Sequence, residues 1–327
     1  MVKAHKPRSG SMQFWPRVRA KREYARVRSR PTSSENKLLG FAGYKVGMTH
    51  VVAADNRKTS PTKGTNITIP ATIIECPPLR ILGVRFYKKV DSVMNPAAQI
   101  MFKGSDDVKR KLSVPKKEKS LDEFADKISE FDDLTVVVHT SPNKTNIGKK
   151  KPEVFEIAVG GKMEEKFQYV KDNLGKDIHV SDVFSEGVFV DARGVTKGKG
   201  FQGPVKRYGI GTTSHKSEKD KRTPGSLGGW SGQQHFMYRV AHAGKMGYHA
   251  RTEYNKLILK ISQEANEVNP KGGFVNYGVV KNPFVLIKGS VLGPKKRMIR
   301  FDRTIRNKKD TEVPAIKEIS LDSQQGN

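Results

Sequence analysis

Short runs rich in β-branched and aromatic residues recur along most of the chain, separated by Gly, Pro, Asn and Asp. They are "LLGFAGYKVGMTHVVAA" (38–54), "NITIPATIIEC" (66–76), "RILGVRFYKK" (80–89), "GVFVDARG" (187–194), "KLILKIS" (256–262) and "GGFVNYGVVKNPFVLIKGSVLG" (272–293). Several short strands at this spacing predict a small barrel or sandwich, not a parallel sheet alternating with helices. A middle stretch departs from the pattern. Ser120 with Glu123 three residues later forms a capping box, and Leu121, Phe124, Ala125 and Ile128 keep helical spacing, which predicts a helix over 120–131. Strands are predicted at "LTVVVHT" and "EVFEIAVGG". A second helix stacks Met163, Phe167, Val170 and Leu174 on one face and stops at Gly175. The strands before and after this α+β unit could close into one barrel split in sequence.

Charge divides the chain in the same places. The 327 residues hold 61 Lys and Arg against 33 Asp and Glu, a net charge of +28. An ordinary soluble surface stays within roughly eight charges of zero, and a surplus this large calls for a polyanion, with nucleic acid the usual one. Residues 101–190 carry 16 cations and 17 acids, so the surplus lies wholly outside them. They form a near-neutral structural insert. Residues 1–32 hold ten cations and one acid, with Phe14 and Trp15 among them, and residues 194–251 hold eleven cations, two acids and twelve glycines. The second of these stretches has no sustained period and is too long for a normal loop. It is written like an arm that orders against counter-charge.

Within that arm, "GVTKGKGFQGPVKRYGIG" (194–211) contains G-K-G-F-Q-G, which fits the dinucleotide pattern GxGxxG. A phosphate loop would need four residues between its glycines and a Ser or Thr after the Lys. Here three residues separate Gly194 from Gly198, and Gly200 follows Lys199. Pro204, Gly209 and Gly211 stand where a Rossmann helix should begin, so no helix N-terminus is expected to hold a pyrophosphate. Glycines that let a backbone come close, flanked by Lys197, Lys199, Lys206 and Arg207, suit an RNA backbone better.

Other candidate chemistry is sparse. His235, His242 and His249 recur every seven residues, but Gly244 and Gly247 argue against a helix that would gather them, and no Cys or carboxylate adjoins them. The single cysteine, Cys76, sits in an apolar run and excludes an internal disulfide. No Ser/His/Asp grouping can be argued from spacing, so no enzyme, metal or cofactor is expected. The basic N-terminus has no apolar core, and no apolar run approaches the roughly 18 residues of a membrane span. A cytoplasmic protein is expected. Trp230, in "SLGGWSGQQHF", is surrounded by glycine and small polar residues. It either folds back on its own loop or presents an indole for stacking at an arm tip.

Four blocks, "GFAGYKVGMTH" (40–50), "GVTKGKGFQG" (194–203), "GKMGYHARTEYNK" (244–256) and "NPKGGFVNYGVVKNPFVLIKGSVLGPKKRMI" (269–299), together resemble the universal large-subunit ribosomal protein three family, in an archaeal form. The resemblance runs to about residue 303. It implies a mainly β fold: a translation-factor-like β-barrel split by an inserted α+β module, with long basic extensions. The expected division is 1–36 basic extension, 37–100 first barrel part, 101–180 insertion, 181–195 barrel strand, 196–252 arm, 253–303 last barrel part and 304–327 tail. It further implies a structural component of the large ribosomal subunit that binds large-subunit ribosomal RNA near its 3′ end. Such a protein acts early in assembly and sends its arm toward the peptidyl-transferase centre. Trp230 would fall at the arm tip, and His215 on a histidine that some members modify. Neighbouring large-subunit ribosomal proteins are the other expected partners, with no homo-oligomer and no membrane.

The residues expected to meet RNA follow charge and motif together. In the N-terminal extension they are Lys3, Arg8, Trp15, Arg17, Arg19, Lys21 and Arg22. In and beside the arm they are Lys197, Lys199, Phe201, Gln202, Lys206, Arg207, His215, Lys216, Arg222, Trp230, Gln233, Gln234, Arg239, Lys245, Tyr248, His249 and Arg251. Lys295, Lys296 and Arg297 complete the set after it.

Overall fold

A computed structural model of the chain describes residues 8–113, 115, 120–225, 238–306 and 311–323. They fall into two compact units. The larger comprises residues 23–194 and 251–327, and the smaller residues 1–22 and 195–250.

The larger unit is mainly β, as the alternating runs predict. Its principal sheet takes β1 (Gly40–Ala54) and β2 (Asn66–Glu75) from before the middle segment. A second sheet holds β3 (Leu79–Val90), β4 (Val93–Met101), β5 (Asp133–His139), β6 (Val154–Ala158) and the two-residue β7 (Asp177–Ile178). After it come β8 (Phe189–Val195) and, beyond β9 (Gly198–Gln202) and β10 (Gly244–Gly247) of the smaller unit, β11 (Ala250–Ser262), β12 (Phe284–Lys288), β13 (Met298–Arg303) and β14 (Ile316–Ile319). The principal sheet runs β13-β8-β11-β12-β2-β1-β14, and β13 also pairs with β1. Hydrogen bonding therefore returns on itself through six strands drawn from both sides of the middle segment. β1 makes three partnerships along its length: Gly40–Tyr44 meets β13, Tyr44–Ala54 meets β2, and Val51–Ala53 also meets β14. Phe41, Tyr44, Ile73, Leu286, Ile299 and Phe301 are fully or almost fully buried.

β3 lies at the centre of the second sheet, pairing with β4, β5 and β7, while β5 pairs with β6. β3 precedes residue 101 and β4 ends on it, so the sheet begins before the expected insertion boundary. Residues 101–190 alone would lack its central strand. β4 carries little sequence signal of its own, because Pro96 and an exposed run from Val93 to Ala97 break the alternation. The helix expected over 120–131 is also corrected. Asp122–Phe124 and Ile128–Glu130 are separate 3₁₀ turns. Phe124 and Phe131 both pack on Phe86 of β3, with ring centroids 5.5 and 4.9 Å away. A helix of twelve residues is marginal by itself, and these tertiary contacts decide its form. The second helix, α1 (Met163–Asn173), does form, buries Phe167 and Val170, and is followed by Gly175 at φ +79°.

Polar groups tie these pieces together. Glu156 of β6 accepts from Arg30, Arg85 and Tyr87, joining the later part of the N-terminal extension to the second sheet. At the β3–β7 contact, Asp177 accepts from the Arg80 guanidinium and from Lys144 Nζ at 2.9 Å. The Arg80 hydrogen bond, against an opposing cost of burial, and then Lys144 push its carboxyl down from 3.8 to about 2. A lowered folded-state value stabilises the fold above the unfolded-state pKa and loses that contribution as pH falls from about 4 toward 2. Because the pair is partly solvated, Asp177→Asn should cost only about 1 kcal/mol at pH 6. The difference from wild type should shrink at pH 2, as read by urea melts at both values. An undiminished difference at pH 2 would remove the ion-pair explanation.

Candidate nucleic-acid interface

The smaller unit is built on a hairpin. β9 pairs with β10 through Gly244↔Gln202, Lys245↔Phe201 and Gly247↔Gly198, with a register shift between Lys245 and Gly247. Gly247 is at φ +75°, and a Cβ there would collide with the carbonyl of Lys197, so only glycine fits where the strands cross closely. The GxGxxG motif is thus a strand and not a loop before a helix. Directly after it, Pro204–Tyr208 forms a short helix, α2, against the expectation that none begins there. Gly203 precedes it, Pro204 stands at its first position, and Gly209 at φ +70° ends it. In a chain segment this rich in glycine, that ordinary start-and-stop pattern is easily overlooked.

Residues 8–22 pack onto this hairpin. Arg17 donates to the Arg207 carbonyl at 2.6 Å and lies 4.1 Å over the Tyr208 ring. Arg207 in turn donates to the carbonyls of Lys245 and His242 at 3.1 and 2.9 Å. Trp15 sits 6.2 Å from Tyr208 and 5.9 Å from Tyr238, its indole N–H on the Ser11 carbonyl. Ala20 N–H donates to the Tyr248 carbonyl at 2.8 Å, and Arg19 lies over the Tyr248 ring. His249 Nδ1 is 2.9 Å from the Val18 carbonyl and 3.3 Å from Lys245 Nζ. These guanidinium groups are held by carbonyls and rings.

The expected RNA-facing residues therefore separate into two groups. Arg8, Arg19, Lys21, Arg22, Lys197, Lys199, Phe201, Lys206, His215, Lys216, Arg222 and Arg239 are exposed. Trp15, Arg17, Gln202, Arg207, Lys245, Tyr248 and His249 are half-buried and serve, at least in part, to build the unit. Lys3, Trp230, Gln233 and Gln234 lie outside the described residues, as does His235. Arg251 and the trio Lys295, Lys296 and Arg297 belong to the larger unit. Sequence reading missed Tyr208 and Tyr238, although each adjoins an arginine, because nothing local shows that Trp15 packs on them.

The trio sits on a loop organised from inside. Lys45 is almost fully buried in β1, where the pairing with β2 shifts register between Lys45 and Gly47, a bulge of the kind that re-aims a side chain. Its ammonium donates to the carbonyls of Val291 and Gly293, while its backbone bonds to Lys296 N–H and the Arg297 carbonyl. Lys296 is held at φ +68° and exposed. Lys295 donates to the Val275 carbonyl at 2.7 Å.

Seventeen of the 61 cations, but only two acids (Glu218 and Asp220), fall in residues 1–22 and 195–250. Among the described residues no three His, Cys, Asp or Glu side chains stand where they could share a metal ion. No described helix is long and apolar enough to cross a membrane.

A cationic unit with so few carboxylates and with rings on its surface has the makings of a protein that binds a phosphate polymer. Residues 1–326 match the family model of Ribosomal protein L3. The chain is 48% identical over 337 residues to the large ribosomal subunit protein uL3 of Methanothermobacter thermautotrophicus, covering all of both chains. It is 45% identical over 310 residues to that of Archaeoglobus fulgidus, covering 93% of each, and 42% over 330 residues to that of Methanocaldococcus jannaschii, covering 98% of each. The chain belongs to the ribosomal protein L3 family, and is thereby a ribosomal protein and not an enzyme.

Proposed function

We propose that this chain is a structural component of the large ribosomal subunit that binds large-subunit ribosomal RNA near its 3′ end. In this reading the ring-like principal sheet is a translation-factor-type barrel that seats the protein early in assembly. The smaller unit is the arm, reaching toward the peptidyl-transferase centre with Trp230 at its tip and His215 along its course. Neighbouring large-subunit ribosomal proteins cover other faces. The observation that carries the proposal is the gathering of seventeen cations and two acids into one unit that joins the N-terminal extension to the arm. Free in solution such a unit repels itself; against phosphates its charge becomes the main attraction.

Sucrose-gradient sedimentation of cell lysate tests it. The protein should travel with the large subunit and stay there through a wash at moderate salt. Residues 211–216 and 218–223 are exposed and belong to no helix or strand. Trypsin should therefore cut purified protein between Lys216 and Arg222, and leave the same bonds intact in the sedimented particle. Protein at the top of the gradient, or equal cleavage in both states, would overturn the reading.

A further inference from the structure

We propose that Phe201 is a stacking platform for one unpaired nucleobase, a subsite for base faces set among cations that take phosphates. The inference rests on the RNA-binding reading above and adds to it the part of the RNA that this position takes. At 78% exposure Phe201 is the barest large apolar side chain among the described residues. Most phenylalanines are drawn inside, and no partner among the described residues accounts for a ring left this open on a regular element. Nor is it a loose end. Phe201 lies in β9, in register with Lys245 of β10, and the next residue, Gln202, is pinned by a 2.7 Å hydrogen bond from its Nε2 to the Lys199 carbonyl. Helix α2 starts two residues after that.

The positions flanking the ring are empty. A Cβ placed on Gly200 or Gly203 would meet nothing within 4 Å, so the chain on both sides of Phe201 leaves room for a flat group to approach. Lys197, Lys199 and Lys206, all exposed, supply charge nearby in the chain. One ring amid glycines, a glutamine and lysines is a poor apolar patch for another protein, which would need contiguous hydrophobic area. It matches a nucleotide, whose base offers a π face while its phosphate seeks a cation. A continuous duplex hides its base faces in the stack, so the occupant has to be a looped, bulged or single-stranded base.

The test uses the full chain with Phe201→Ala, Phe201→Leu and Phe201→Tyr, and two probes of matched length: single-stranded oligo(rA) carrying one 2-aminopurine, and a blunt RNA duplex. Thermal melts should be unchanged in all three variants, because the ring is exposed. Phe201→Ala should weaken single-strand binding by about 5- to 100-fold, the loss expected for one stacked base, and relieve the quenching of 2-aminopurine fluorescence. Phe201→Leu should behave like Ala and Phe201→Tyr like wild type, while duplex affinity changes less than about twofold. The slope of affinity with salt should stay the same throughout, since no charge is altered. Equal losses on both probes, full activity of the Leu variant, or no change in RNA affinity would overturn the proposal, the last pointing to a protein neighbour for the ring. If wild type itself binds neither probe in a salt-dependent way, the RNA-binding reading falls with it.

Discussion

Purified protein bound to a fragment of large-subunit ribosomal RNA should lose about four orders of magnitude in affinity between 50 and 200 mM monovalent salt. Ten exposed Lys and Arg among the candidate residues lie in the smaller unit, from Arg8 to Arg239. If about eight cations of the protein meet phosphates, counterion release gives a log–log slope of roughly −6 to −7. Replacing Lys197 and Lys199 together by Ala should make the slope shallower by about 1.5, because each lost phosphate contact takes about 0.7 to 0.9 with it. Arg17 and Arg207 should behave differently. The Arg17 guanidinium holds residues 8–22 against the hairpin, and the Arg207 guanidinium ties α2 to the His242 and Lys245 carbonyls. Truncating either should therefore loosen the unit and raise its protease sensitivity as well as weaken binding. A slope near zero for wild type would show that binding is not driven by charge. A full-sized slope that the double substitution leaves untouched would move the contacts away from β9.

Legibility from sequence varied with how local each cause is. Five strands of the principal sheet, β1, β2, β8, β11 and β12, are readable because β-branched residues bury alternately or continuously whatever their partners. β13 and β14 fall outside the predicted runs, β14 inside the expected tail. α1 is readable because Gly175 ends a helical stripe. The middle segment's boundary is not readable. β3 has the same character as β1 and β2, and only its pairing with β5 assigns it to the second sheet. The helix expected over 120–131 lost to Phe86, a residue more than thirty positions earlier in the chain. Charge segregation was fully visible, yet the way residues 8–22 and 195–250 come together was not. Their contacts run through backbone carbonyls and ring faces, such as Arg17 on Arg207 and Tyr208, which leave no period and no motif. The same holds for Lys45. In the strand run it stands as a lone cation, and its acceptors lie some 250 positions away.

The largest effect on folding should come from a single buried carboxylate. Glu75 ends β2, is fully buried, and faces the irregular stretch that leads into β12. Its Oε1 accepts from the backbone N–H of Lys281 and Asn282 at 2.9 and 3.0 Å and from Asn282 Nδ2 at 2.7 Å; its Oε2 accepts from the Tyr277 hydroxyl. Burial, and then the Glu75 charge, drive the Tyr277 phenol far above its ordinary value, so it remains a donor at any working pH. A stretch of chain with no ladder partner must place its N–H groups somewhere, and here one anion collects four donors. Glu75→Ala removes all four acceptor contacts at once and strands two backbone amides and a buried phenol. The expected cost is about 3–5 kcal/mol, or a melting point lower by roughly 6–20 °C for a unit of this size. Glu75→Gln keeps Oε1 for the three N–H donors and can point its amide N–H at the Tyr277 oxygen, so it should lose only about 1–2 kcal/mol. Neither substitution touches the smaller unit, so folded protein should bind RNA with an unchanged salt slope. A Glu75→Ala variant within about 1 kcal/mol of wild type would mean that the stretch from Tyr277 to Asn282 finds water for its donors and that the anion does not hold it in place.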